Sequence, residues 1–419
     1  MSVSTGAPSR LRMIVVLGML STFGPLSLDL YLPALPQLAQ ELEASASGAQ
    51  LTITACLVGL ATGQLIAGPV SDRLGRRRPL IMGLTIYLLA SAGCAFAPSI
   101  EVLIPVRLVQ GLAGAAGLVI ARAVVRDLYA GRDLVVFFSR LILISGLAPV
   151  IAPVLGGQLS KIMSWRGMFL VLAGFGAVLL LAGLLGVPET LPPDRRTSGG
   201  LSVTVRGFWV LIRDRIFLGA VLAAGLSGAS MFAYIAGATF VLQRIYGLSA
   251  VMFSLVFATN SLGIIACGQI GARLSRNWAP VRVLALALML NLTGALAVAI
   301  AVFSDAGFWL LVASLFVMVS SIGMVFPVAS ALAMMDYPQQ AGAASSLLGL
   351  AQYIAGALAA PLVGLAGERS AIPLGIVVLV ASASASTVFL TLVVPAVRAR
   401  ARRDHRDPSA TDAGGGSIT

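Results

Sequence analysis

The sequence predicts an all-α membrane protein of twelve spanning helices arranged as two pseudo-symmetric six-helix bundles. Three observations carry that prediction. The 419 residues are 58% hydrophobic and only 11% charged, with a mean hydropathy of +0.98, whereas a soluble domain carries about 25% charge. A window of about 20 residues, the length that crosses a hydrocarbon core of about 30 Å, finds twelve mostly apolar stretches. The basic residues that give a formal charge of +12 lie largely outside those stretches. The excess of positive charge is therefore a membrane signal and not a nucleic-acid one.

The spans fall in order near residues 13–34, 49–69, 79–97, 102–124, 134–157 and 167–187, then 216–241, 250–270, 281–303, 307–333, 342–366 and 371–395. The first resembles a signal peptide in having Arg10 and Arg12 ahead of an apolar run. It contains Pro25 and Asp29, however, runs too long and lacks a small-residue cleavage site, so it reads as a retained helix. Residues 1–187 thus form an N-terminal six-helix bundle. Residues 188–215, rich in Pro, Gly, Ser and charge, read as a linker with a short interfacial helix around 203–212. Residues 216–397 form the second bundle, and 398–419, Arg-rich and then Gly/Ser/Thr-rich, read as a disordered tail.

With twelve spans both termini share a side, and that side collects 21 of the 28 basic residues. Four (Lys161, Arg166, Arg244 and Arg369) lie opposite, and Arg107, Arg122 and Arg140 fall within spans. The positive-inside rule places both termini in the cytoplasm. Arg140, near one end of its span, can snorkel. Cys56, Cys94 and Cys267 are scattered through apolar runs, and His405 is the sole histidine. That inventory builds no disulfide framework, zinc cluster or catalytic triad, so no metal, no cofactor and no enzymatic activity are expected.

An internal repeat joins the halves. GPVSDRLGR (68–76) overlays GQIGARLSR (268–276), matching Gly68 with Gly268, Arg73 with Arg273, Leu74 with Leu274 and Arg76 with Arg276, and Gly63 aligns with Gly263. An even number of spans separates the copies, which makes the repeats parallel.

GPVSDRLGRRRP (68–79) resembles the loop signature between the second and third helices of the major facilitator superfamily. RLVQGLAGAAG (107–117) is similar to that superfamily's fourth-helix motif, and GLAPVIAPVLGG (146–157) to the antiporter motif of its fifth helix. LDLYLPALPQLA (28–39), QLTITACLVGLATGQLIAGP (50–69) and ARAVVRDLY (121–129) narrow the resemblance to the bicyclomycin/chloramphenicol-resistance (Bcr/CflA) branch of drug:proton antiporters. The resemblance is densest over residues 25–170. It implies a major facilitator fold acting as a monomer, driven by the proton gradient, with a small-molecule drug and protons as its partners. The second copy of the loop signature departs from the pattern at Ala272 and Ser275. Some related drug antiporters carry a second first-helix acid near the position occupied here by Ser21.

Asp29 is the acidic residue that stands clearly inside a span, and a charge there costs several kcal/mol unless paired, so it is the leading proton-coupling candidate. At 1.5 Å per residue it sits about 7–8 Å below the end of the first span, a depth matched by Arg107 in the fourth. An Asp29–Arg107 pair or water-linked couple is expected, with drug binding and protonation competing at Asp29. The alternative is a static ion pair pinning helices one and four. Tyr31, Gln110, Phe232, Tyr234, Asn260, Phe326, Gln352 and Tyr353 offer aromatic faces and neutral hydrogen bonds for a drug cavity, although each residue type also serves as packing. Gly68, Asp72, Arg73, Gly75, Arg76 and Arg77 read as a conformational latch, with Arg122 as a candidate partner for Asp72. Pro149, Pro153, Gly156 and Gly157 read as a kink that lets helix five approach a neighbour. Arg126, Asp127, Arg132 and Asp133 read as a solvated loop. The function expected is proton-coupled efflux of lipophilic drugs of the chloramphenicol or bicyclomycin type. Proton-coupled transport of an amino acid or purine, and a non-transporting sensor, are the alternatives.

Overall fold

The computed structural model describes residues 10–406 apart from 130, 197–208, 210, 336, 338–340 and 368. Most of the expected interfacial helix at 203–212 and the tail beyond 406 lie outside the described residues, as do the side chains of Arg132 and Asp133. Every regular element among the described residues is helical. Helix α1 is broken into Arg10–Leu20, Phe23–Asp29, a 3-10 turn at Leu32–Ala34, and Leu35–Glu41. Then follow α2 (Ala46–Leu74), α3 (Arg77–Ala95), α4 (Ile100–Leu128), α5 (Gly131–Leu159) and α6 (Trp165–Gly186). The second set comprises α7 (Arg215–Phe240), α8 (Ala250–Leu274), α9 (Pro280–Phe303), α10 (Phe308–Met334), α11 (Ala341–Ala359) and α12 (Ile372–Val388).

Among the described residues ten helices are long and apolar enough to cross a membrane, and α1 supplies an eleventh as a span bent by 46°. In α5 the apolar stretch among the described residues is the shorter Gly146–Leu159. The bend in α1 follows from its sequence. Pro25, Pro33 and Pro36 each remove an amide donor, and the hydroxyls of Ser21 and Thr22 donate back to the carbonyls of Leu17 (2.9 Å) and Met19 (2.7 Å) just where the helix breaks. Chain 398–406, expected to be disordered, is instead helical. Beyond a π-turn at Phe389–Val393 the last helix continues over Val394–Arg406. Hydropathy marks where the apolar run stops, whereas Ala and Arg are strong helix formers that carry the helix onward into polar surroundings.

The packing repeats with a period of six helices. Helix α2 packs along α4, α3 on α4 and α6, and α1 on α5; likewise α8 packs along α10, α9 on α10 and α12, and α7 on α11. The crossings that match are built on glycine. A side chain at Gly111 of α4 would run into the backbone of Cys56 in α2, and one at Gly323 of α10 into the backbone of Ile264 in α8. The two sets of six meet where α5 packs on α8 and α2 on α11, again a symmetric pair of contacts.

Candidate functional site

A cavity of about 110 Å³ lies between the two sets of helices. From the first set α1 contributes Gly24, Pro25, Leu28 and Asp29, and α5 contributes Pro149; from the second come Met231, Phe232, Tyr234 and Ile235 of α7, Phe257, Ser261 and Ile264 of α8, Val319 of α10 and Tyr353 of α11. The wall is mostly hydrocarbon and aromatic ring, and Asp29, 5% exposed, is its acidic residue. Among the described residues no hydrogen bond or ion pair engages the Asp29 carboxylate.

The expected Asp29–Arg107 pair is therefore absent, and helix geometry explains why. Ser27 and Tyr31, four residues apart, share the face of α1 that looks at α4, while Asp29, two residues from each, points about 200° away. Arg107 is fully buried, donating to the carbonyls of Ser27 (3.0 Å) and Thr52 (3.4 Å) and to Oε1 of Gln110 (2.5 Å). Its guanidinium carbon stands 4.6 Å from the centre of the Tyr31 ring and 5.4 Å from that of Phe169. A buried cation is thus held by dipoles and ring faces, with no carboxylate among its partners in the described residues. Gln110 donates onward to Ser91 (2.8 Å), and the Tyr31 hydroxyl pairs with that of Thr52 (2.9 Å), so these two expected cavity residues belong to the core of the first helix set.

Of the other expected cavity residues, Phe232, Tyr234 and Tyr353 line the wall, joined by Pro149 of the antiporter motif. Asn260 stands one step behind, donating from Nδ2 to the Tyr234 hydroxyl at 2.8 Å. Phe326 packs instead in a separate apolar cluster with residues such as Leu348 and Phe389, and Gln352 lies against Gly228 at the α7–α11 crossing. Met231, Phe257, Ser261, Ile264 and Val319 were not expected. Phe257, Ser261 and Ile264 follow the i, i+4, i+7 spacing of one helix face, the signal that could have grouped them.

Away from the cavity, at the arginine-rich end, Arg76 is a hub. Its Nε donates to Asp127 (2.9 Å), its Nη1 donates to the Ser71 hydroxyl (3.0 Å) and pairs with Asp72, and its amide donates to Glu189 (2.7 Å). The expected partnership of Asp72 with Arg122 is replaced by this pairing, and Asp127 is part of the cluster and not merely a solvated loop residue. Gly75 joins α2 to α3 with φ +89, a backbone conformation that side chains disfavour, and packs against Glu189. Glu189 accepts from the amides of Arg76, Arg77 and Leu191, and its Oε2 lies 3.8 Å from Arg196. Burial works against its charge, but these donors outweigh it and hold the carboxyl below its ordinary value. Arg77 also donates to the Leu184 carbonyl (2.8 Å), whereas Arg73 is exposed and Gly68 has open space where a side chain would go. Arg122 is exposed.

The opposite, sparsely charged end is where the two helix sets are tied together. Ser47 donates to the carbonyl of Pro361 (3.0 Å), Thr54 to Ala357 (3.1 Å) and Gln50 to Ala236 (3.3 Å). Gln243 donates to Pro33 (3.2 Å) and Arg244 to Pro36 (3.1 Å), and deeper, on the cavity wall, Ser261 donates to Pro149 (3.1 Å). Gly157 comes close to Ser254 of α8, so this antiporter-motif glycine permits the closure, whereas buried Gly156 meets the Leu30 carbonyl of α1 within the first set. Nearer the arginine-rich end a contact between the sets is Gln64 of α2 against Gly349 of α11. The cavity is closed on one side.

The sequence of the chain agrees with this architecture. The family model of the Major Facilitator Superfamily matches residues 16–360. An uncharacterized MFS-type transporter, YdgK of Bacillus subtilis, is 40% identical over 91% of this chain and 96% of its own length. A chloramphenicol resistance protein of Pseudomonas aeruginosa is 32% identical over 68% of each chain, and a bicyclomycin resistance protein homolog of Haemophilus influenzae is 29% identical over 86% of this chain and 91% of its own. The solved structure of the nucleoside transporter NupG superposes with a TM-score of 0.72 at 15% identity, covering 91% of this chain and 98% of that one, a likeness of fold. The chain belongs to the Major Facilitator Superfamily of membrane transporters, in its bicyclomycin- and chloramphenicol-resistance branch.

Proposed function

We propose that this protein exports lipophilic drugs from the bacterial cytoplasm in exchange for protons, with Asp29 as the group at which drug and proton compete. The observation that carries the reading is a lone carboxylate, unpaired among the described residues, on an otherwise apolar wall shared by both helix sets. Insertion scales put an ionised aspartate at mid-membrane depth about 2.5–3.5 kcal/mol above its position in water, so binding a proton or a drug there relieves a standing cost. The few polar lining groups favour a lipophilic cargo over a hydroxyl-rich metabolite, which needs a hydrogen-bond partner for each polar group. The resistance proteins among its relatives support the same choice.

Both termini and the arginine-rich end face the cytoplasm on this reading, because 21 of the 28 basic residues gather there. The cavity is then closed toward the outside, and the chain, acting as a monomer with no metal or cofactor, takes its energy from the proton gradient. A cavity of about 110 Å³ is smaller than the roughly 300–1,000 Å³ that encloses a drug-sized ligand, so loading requires the helix sets to part at the cytoplasmic end. The test is Asp29→Asn in proteoliposomes loaded with drug. The wild type exports drug when a pH gradient is imposed, and the variant reaches the membrane but does not. Normal pH-driven export by Asp29→Asn refutes the coupling role, and failure of the wild type to move any drug refutes the cargo.

A further inference from the structure

We infer that Tyr234, aimed by Asn260, is a hydrogen-bond donor of the cavity, and that with Asp29 it selects apolar molecules carrying a hydroxyl or N–H beside a carbonyl-type oxygen. This deepens the efflux reading and rests on it. Tyr234 lines the cavity while only 1% exposed, and its ring stacks on Phe257 with centroids 5.5 Å apart and an interplanar angle of 25°. Its oxygen accepts the Nδ2 proton of Asn260 at 2.8 Å. A phenol oxygen so engaged keeps its own proton for another acceptor.

Asn260 is itself 1% exposed, and its Oδ1 meets no partner among the described residues. A buried amide with an unmet acceptor is a net burden unless its other end does something, and among the described residues the bond it makes is the one that turns Tyr234. The neighbouring cavity residue of α8, Ser261, does not compete for the same task, since its hydroxyl hydrogen-bonds to the carbonyls of Phe257 and Pro149. The Asp29 carboxylate, on the other helix set, lines the same cavity as Tyr234. The two walls therefore offer an acceptor from α1 and a donor from α7. A molecule with a hydroxyl or N–H for Asp29 and an oxygen for Tyr234 bridges both helix sets. A lipophilic cation without hydrogen-bonding groups engages Asp29 alone. Asn260 acts here as a positioning residue and touches no cargo.

The test uses the full chain in lipid nanodiscs with two probes: chloramphenicol, which has hydroxyls and an amide carbonyl, and tetraphenylphosphonium, a cation with no hydrogen-bonding group. Equilibrium binding of chloramphenicol to Tyr234→Phe should weaken roughly 5- to 10-fold, the worth of one neutral hydrogen bond, while tetraphenylphosphonium binds unchanged. Asn260→Leu should reproduce the same selective loss, and the double variant should lose no more than Tyr234→Phe alone. Equal losses for both probes, or no loss of chloramphenicol binding in Tyr234→Phe, overturn the donor assignment. Additive losses in the double variant overturn the positioning role of Asn260. A wild type that binds neither probe overturns the cavity reading beneath it.

Discussion

The closure at the sparsely charged end can be undone with substitutions that leave each helix intact. Among the described residues six side-chain donors bridge the two helix sets, five at that end and Ser261 beside the cavity, and each ends on a main-chain carbonyl. Ser47→Ala, Thr54→Val and Gln243→Met remove three of them, of 3.0, 3.1 and 3.2 Å, while keeping side-chain shape close to the original. Each neutral bond is worth about 0.5–1.5 kcal/mol net, so the triple variant removes about 1.5–4.5 kcal/mol from the closed state. Driving a two-state equilibrium from 1:99 to 99:1 takes about 5.5 kcal/mol, so roughly half of that brings a closed state favoured a hundredfold to parity with the open one. Spin labels at Lys161→Cys and Arg369→Cys, both exposed loop positions of the same end on opposite helix sets, read the separation in a Cys267→Ser background. The wild type should show one short distance and the triple variant a second, longer population of comparable size. An unchanged distance distribution in a variant that melts as the wild type does refutes the assignment of these bonds as the closure.

Two further outcomes test the packing and the arginine-rich end. Glu189 has its folded-state pKa depressed by the Arg76, Leu191 and Arg77 amides and by Arg196 against the opposing effect of burial, so its contribution to stability is fully present above the ordinary carboxylate value and is lost as pH falls through the lowered one. Thermal melting from neutral pH downward should therefore show a steeper acid decline for the wild type than for Glu189→Gln, and parallel curves would contradict the assignment. Gly111→Ala drives a methyl into the Cys56 backbone and should cost about 1–3 kcal/mol, whereas Gly68→Ala, facing open space, should melt like the wild type. Equal stability of both variants in a detergent melting assay would mean that α2 and α4 do not cross as closely as described.

The helices were legible in the sequence because lipid imposes one rule on every span: enough apolar residues to cross, with every backbone group bonded within the helix. The glycines that set the crossings were legible as well, since Gly63 and Gly263 recur 200 residues apart and both meet the paired helix at short range. What escaped was direction around a helix. Asp29 and Arg107 both stood out as charges in spans, yet only the packed structure shows which face of α1 looks at α4, and that face carries Ser27 and Tyr31. Long-range partners escaped for a different reason. Glu189 lies 113 residues from Arg76, in a segment whose polar composition reads as a linker, and nothing local marks it as the cap of α3. The helical stretch to Arg406 was missed because a window tuned to hydrocarbon reports where the membrane ends and not where the hydrogen-bond ladder does.

The separation of the two buried charges bears on where energy coupling can reside. A guanidinium stays protonated across the accessible pH range, and Arg107 has its charge met by carbonyls, an amide oxygen and two ring faces that do not titrate there. Its contribution to the energy of the two conformers is thus constant with pH. The neutral donors of the closure are equally indifferent, since Ser47, Gln50, Thr54, Gln243 and Ser261 are hydroxyls and amides that end on carbonyls. A pH gradient can bias the exchange of conformers only through a group whose protonation changes and whose surroundings differ between them. Asp29 meets both conditions on the proposed reading, because it stands on the wall that opens when the helix sets part. The prediction this entails is sharp: pH dependence of the conformer ratio, read by the same spin-label pair, should vanish in Asp29→Asn and persist in the triple closure variant.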